Sequence, residues 1–137
     1  MAKVRDVMTT NPDVLDTYST LSKAAKIMKA GDFGVVPVVK DDAIVGVVTD
    51  RDIIVRGIAG GLGLEDPVDS IMTTDVTTVG PDDDVSEVRQ LMIDGALRRV
   101  PVVDGERLIG IVSLGDLAEH GSGDDVLTEV SKAAPNN

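Results

Sequence analysis

The 137-residue chain has no cysteine and no tryptophan, a single histidine (His120) and only two aromatic side chains, Tyr18 and Phe33. Without cysteine there is no disulfide framework, thiol nucleophile or thiolate metal site, and the composition fits a reducing compartment. One histidine cannot build a metal site alone. Near a helix C-terminus it reads as a favourable helix-end charge. With so few aromatics, a bound base would lie among Val, Ile, Leu and Met side chains rather than on an aromatic platform. Basic residues are also scarce, 13 against 24 acidic ones, for a net charge of −11. That excess opposes binding to nucleic acid or an anionic membrane, where phosphates must be neutralised. A small anion held locally by a few arginines and backbone N–H groups is still allowed. The longest apolar runs, such as 33–39 and 43–48, are too short to span a bilayer, and no signal-peptide pattern is present. The expectation is a soluble, cytoplasmic protein. No Ser/His/Asp set, P-loop or HExxH motif argues for an enzyme. Carboxylates at 82–84 and 124–125 read as solvated acidic faces rather than a magnesium site.

What the chain does have is a repeat. Residues 4–53 laid over 68–117, without a gap, are identical at 14 of 50 positions, and most other core positions exchange one aliphatic for another. Met8-Thr9-Thr10 falls on Met72-Thr73-Thr74, Val36-Pro37-Val38-Val39 on Val100-Pro101-Val102-Val103, Gly46 on Gly110 and Asp52 on Asp116. A repeat of this length is one supersecondary unit that cannot bury its apolar face alone. Two copies imply a pseudo-symmetric pair with a cleft between equivalent surfaces.

Each copy carries the same order of signals. A lead ends in Met-Thr-Thr, and a brief extended piece follows, Val14-Leu15 or Thr78-Val79. An amphipathic helix comes next. In the first copy it begins near Ser19 or Thr20 with Leu21, Ala24, Ala25, Ile27 and Met28 at helical spacing. In the second, Pro81 and Asp82-Asp83-Asp84 open it, the acids complementing the helix N-terminus. Gly31 and Gly95 mark the helix ends. Two strands then form a hairpin around 40–42 or 104–106, the second through an Asp-Gly signal. A second helix follows at roughly 50–59 and 114–120. Gly46 and Gly110 lie within strands, where a ligand or a neighbouring helix approaching closely would explain them. The predicted fold class is α/β (α+β by some schemes), two β-α-β-β-α units paired about a pseudo-twofold. The boundaries are 1–66 for the first copy with its glycine-rich connector and 67–121 for the second. A tail over 122–137 has room for one short helix around 124–133.

Thr49-x-x-Asp52 and Ser113-x-x-Asp116 stand just before the second helix of each copy. This is capping-box spacing: the hydroxyl accepts from a first-turn N–H, and the acid answers the cap N–H. The same groups suit an anion and a cis-diol, because a carboxylate has two acceptor oxygens.

Pro-Val-Val, then Gly-Val-Val-Thr-Asp-Arg-Asp-Ile (46–53) and Gly-Ile-Val-Ser-Leu-Gly-Asp-Leu (110–117), with the two Met-Thr-Thr leads and Arg98-Arg99-Val100-Pro101-Val102, resemble the CBS domain. The tandem resembles a CBS pair, or Bateman module, over about residues 1–120, and small stand-alone two-CBS proteins of the hypoxic-response type, with no catalytic or transport domain attached. The resemblance implies a regulatory module that binds an adenine nucleotide (AMP, ADP or ATP) or another adenosyl compound in the inter-repeat clefts. It implies that Thr49 and Ser113 contact phosphate and that Asp52 and Asp116 hold the ribose hydroxyls. The base would lie near Val14 and Val36 in one copy and Thr78 and Val100 in the other. It implies no required cofactor and no metal.

The copies differ where a ligand would touch them. Thr78 is replaced by Val14, and Arg98 and Arg99 by Gly34 and Val35. The stronger site is expected around Thr78, Arg98, Arg99, Ser113 and Asp116, bidentate phosphate binding being a natural arginine role. The weaker one would use Thr49 and Asp52, helped by Arg51 or Arg56. The implied partners are a second copy, in a disc of four CBS units, and an effector protein. The alternative is a dimerisation or protein-interaction module that needs no nucleotide.

Overall fold

A computed structural model describes residues 2–119. His120, the carboxylates at 124–125 and the tail assigned to 122–137 lie outside the described residues. Two compact units emerge, one from residues 13–76 and the other from 2–12 together with 77–119. Neither coincides with a sequence repeat.

The first unit begins with β2 (Leu15–Asp16) and α2 (Leu21–Gly31), continues with β3 (Val35–Lys40) and β4 (Ala43–Thr49), and then forms a π-helix over Asp52–Ile58. A 3₁₀ turn at Val68–Ser70 opens the lead of the second repeat. In the sheet β2 runs parallel to β3, β3 antiparallel to β4, and Thr73 of the lead bridges to Val47 on the far side of β4.

The second unit repeats this plan with the other lead. It contains α1 (Val4–Val7), β1 (Thr9–Thr10), α3 (Val85–Gly95), β5 (Arg99–Asp104), β6 (Arg107–Ser113) and α4 (Leu114–Glu119). Here β1 pairs antiparallel with β6, opposite Ile111 and Gly110, and Val79 bridges in parallel to Val102.

The exchange of leads is visible in the cores. One is built from Leu15, Leu21, Ala24, Met28, Val36, Val38, Val48, Ile53, Val68 and Ile71. The other contains Val79, Val85, Val88, Met92, Val100, Val102, Val112, Leu117, Val4 and Val7. Every member of one core is 64 positions from a member of the other. Eight come from one repeat and two from the lead of the opposite repeat. Main-chain bonds fasten each lead. Val68 N–H donates to the Ser19 carbonyl at 2.8 Å and Leu21 N–H to that of Asp66 at 3.0 Å; Val4 to Asp83 and Val85 to Ala2 repeat the pattern at 2.9 and 3.1 Å. The bonds from Leu21 and Val85 satisfy N–H groups at the starts of α2 and α3 that no helical carbonyl can reach.

Thr20 caps α2, its hydroxyl accepting from Lys23 N–H at 3.1 Å. The acidic trio before α3 has other partners than the helix end. Asp82 meets Arg5 at 2.7 Å, Asp83 accepts from Gly80 N–H at 2.8 Å, and Asp84 lies 3.8 Å from Lys3. At the helix C-termini the left-handed residues are Asp32 and Ala96, one position beyond the glycines.

The hairpins form as predicted, with turns one residue tighter. Asp41 and Asp42 both have positive φ, as a primed two-residue turn needs, and Gly105 at φ +66° opens the other. Each hairpin slips register at one place, between Val38 and Val39 and between Val102 and Val103. Gly46 and Gly110 follow these bulges, and it is the leads that come close to them. A Cβ on Gly46 would stand 2.8 Å from the Thr73 carbonyl oxygen, and one on Gly110 2.9 Å from that of Thr9. The close neighbour is therefore neither a ligand nor a helix but an extended Met-Thr segment. Among the described residues no helix is long and apolar enough to cross a membrane.

Ile71 is 2% exposed and, with Val68, joins a core otherwise supplied by the first repeat. Ile71→Ala is expected to cost about 2–5 kcal/mol through lost burial and a residual cavity, read as a lower urea midpoint. Leu91→Ala, on the exposed rim of α3, is expected to change stability by about 0.5 kcal/mol or less.

Candidate functional site

The two predicted boxes form. Asp52 N–H donates to the Thr49 hydroxyl at 3.0 Å while the Asp52 carboxylate accepts from Thr49 N–H at 3.0 Å. In the other unit Asp116 N–H donates to Ser113 Oγ at 3.2 Å, and Ser113 N–H to Asp116 Oδ2 at 2.8 Å. Each box sits where the second hairpin strand turns into the helix that follows. Strand and helix are thus locked through four polar groups that would otherwise need water.

The helices behind the boxes differ. Residues 52–58 wind as a π-helix, with Ala59 N–H reaching the Ile54 carbonyl and Leu62 N–H that of Gly57, both at 2.9 Å. Residues 114–119 are an ordinary α-helix. Such widened turns are rare and concentrate at functional positions.

The hairpin register decides which other side chains accompany each box. Arg99 stands opposite Ser113 and Val35 opposite Thr49. Directly paired residues share a face of the sheet with Cβ atoms about 4.5–5.5 Å apart. A guanidinium therefore shares the face of the Ser113–Asp116 box, and a buried Val35 shares that of Thr49–Asp52. Arg98 is tied in through its main chain, whose carbonyl accepts from Leu114 N–H at 3.0 Å; Gly34 does the same for Asp50 at 2.9 Å.

The remaining predicted residues fall into two groups. Val14 and Thr78 are partly exposed beside the short parallel strands. Val36 and Val100 are fully buried core members, so their side chains pack rather than face solvent. Arg51 is exposed, with its backbone N–H on Asp50 at 2.8 Å, whereas Arg56 Nε lies 3.8 Å from Asp52. One contributor was not singled out from sequence. The Thr73 hydroxyl lies 3.3 and 3.1 Å from the two Asp52 oxygens. Its only sequence signal is the Met-Thr-Thr identity between the leads. Among the described residues no group of three or more His, Asp or Glu side chains converges as a metal site would need.

These paired strand-to-helix boxes, repeated 64 residues apart, agree with the comparison to known proteins. A CBS-domain model matches residues 4–57 and again residues 68–123. The chain belongs to the CBS-domain family. It is 39% identical over 118 residues to the CBS domain-containing protein YhcV of Bacillus subtilis, covering 86% of this chain and 84% of that protein. Its fold is similar to the crystal structure of Hypoxic Response Protein I with two coordinated zinc ions. The TM-score is 0.78 at 32% identity, with 87% of this chain and 98% of that one covered. It is also similar to CBSX2 in complex with AMP, at TM-score 0.77 and 25% identity, covering 88% and 96%. The two CBS matches follow the sequence repeat, whereas the compact units trade leads. The CBS repeat is thus a unit of sequence, and the packed body a different cut of the same chain.

As a cap, Ser113 contributes with or without ligand. Ser113→Ala is expected to lower stability by about 0.5–2 kcal/mol, checked by chemical denaturation of the unliganded protein.

Proposed function

We propose that this CBS pair is a cytoplasmic regulatory module that binds an adenine nucleotide or adenosyl compound, of the AMP, ADP or ATP class, and passes the change on to an effector protein. The observation that carries this reading is the Ser113–Asp116 box with Arg99 on the same sheet face. A hydroxyl and a guanidinium suit a phosphate, and a carboxylate beside them suits a ribose diol. The AMP complex of CBSX2 supports the same ligand class. Thr78, Arg98, Arg99, Ser113 and Asp116 would serve the stronger site, with the chain at Val100 beside the base. Thr49, Asp52 and Arg51 would serve the weaker, beside Val14 and Val36. No cofactor or metal is required. A ligand that binds two conformations unequally shifts their populations, and a partner can read that shift.

A second reading follows from the completeness of the caps. Both boxes are satisfied by the protein's own groups, so a pure dimerisation or docking module would fold equally well.

Calorimetry with AMP, ATP and S-adenosylmethionine separates the two. Binding to the wild type, weakened about tenfold or more in Asp116→Ala as a charged hydrogen bond is lost, supports the nucleotide reading. Absence of binding, or equal binding by Asp52→Ala/Asp116→Ala, sinks it in favour of the docking module.

The proposed assembly is a homodimer. Ile54, Val55 and Ile58 on the π-helix and Leu64 beyond it are exposed, Ile54 at 61%, and apolar residues so grouped favour protein contact. Sedimentation is expected to give twice the 14.3 kDa chain mass, with Ile54→Glu/Ile58→Glu shifting it to monomer. A monomeric wild type would overturn the dimer.

A further inference from the structure

We infer that Thr73 is an internal competitor for Asp52, which makes the half built on residues 13–76 the low-affinity one and ties its occupation to the lead strand. The inference rests on the nucleotide reading and deepens it.

Asp52 is 7% exposed, and both its oxygens are engaged. Oδ2 takes the Thr49 N–H at 3.0 Å, the Thr73 hydroxyl spans both oxygens at 3.1 and 3.3 Å, and Arg56 Nε stands 3.8 Å from Oδ1. A diol needs those acceptor directions. It must therefore displace a hydroxyl that the protein supplies at the high effective concentration of an intramolecular group.

The repeat provides the control. Thr9 is the counterpart of Thr73, and Ile111 that of Val47. Both threonines pair at the same register, Thr9 with Ile111 and Thr73 with Val47. Yet Thr9 is exposed, and among the described residues Asp116 accepts only the Ser113 N–H while its side chain stays partly open. The difference is in the side chains, not in the strand pairing. The competitor also sits at a consequential place. Thr73 is held to β4 by two main-chain bonds with Val47, at 2.8 and 2.9 Å, and residues 73–76 are where the chain leaves its unit. A ligand that takes Asp52 releases the side-chain anchor of that segment, which gives the weaker half a means of reporting occupation.

The test silences the other half with Asp116→Ala and adds Thr73→Val, which keeps shape and strand pairing but removes the donor. With AMP as probe, D116A/T73V is expected to bind about tenfold more tightly than D116A, one charged hydrogen bond no longer being displaced. D116A/T73S keeps the hydroxyl and is expected to match D116A, which separates competition from general loosening. Equal or weaker binding by D116A/T73V, with AMP binding to the wild type intact, overturns the competition while the nucleotide reading stands. If the wild type binds none of AMP, ATP and S-adenosylmethionine, the nucleotide reading fails and amide hydrogen exchange judges the contact alone. Faster exchange of the Thr73 N–H in Asp52→Ala, with the Thr9 N–H unchanged in Asp116→Ala, supports the anchor. Unchanged exchange at Thr73 overturns it.

Discussion

The insertion of Val68 and Ile71 into a core otherwise drawn from residues 15–53, matched by Val4 and Val7 among residues 79–117, is the packing on which both units depend. Each inserted side chain stabilises by about 1.5–3 kcal/mol on burial, a large share of the margin available to a body of some sixty residues. The main-chain bonds that accompany it also satisfy the first turns of α2 and α3. Removing a lead would therefore open a core, strip a helix start and leave one side of a sheet unpaired together. Glycine at 46 and 110 belongs to the same constraint, since a side chain there would collide with the arriving strand.

The chemistry grows from that frame. The leads bring a threonine to the strand that ends in each box. The bulges before Gly46 and Gly110 set the register that places Val35 or Arg99 across from the box hydroxyl. One unit thereby acquires an arginine across from its box hydroxyl, and the other an apolar neighbour there, with Arg56 and the Thr73 hydroxyl against its box carboxylate. The two units thus share a scaffold and differ in the side chains around their boxes. The buried core positions stay apolar in both repeats so that the cores close, whereas the partly exposed Val14 differs from its counterpart Thr78 without loss of packing.

Much of this was legible in the chain. Helical spacing from Leu21 to Met28 and the two capping boxes follow from local pattern, because the groups that satisfy them lie within four residues of one another, and the hairpins from turn signals between adjacent strands. Long-range pairings left no such mark. The glycines signalled a close approach but not its source, and the acids at 82–84 suggested a helix-end role although Arg5, Gly80 and Lys3 are their partners. Val36 and Val100, placed near a base by resemblance, proved to be fully buried packing residues.

By itself, then, the sequence determined the family, the two-copy plan, the order of elements and the Thr/Ser-x-x-Asp boxes. Periodicity and capping are short-range physics, and a gapless repeat registers them twice. Only the tertiary structure decided which lead completes which core and that Thr73 rests on Asp52. Both depend on where segments 20 to 80 residues apart are brought together. The two leads carry aliphatic side chains at the same spacing, Val4 and Val7 or Val68 and Ile71, so composition alone does not assign them and the choice lies in chain path and strand pairing.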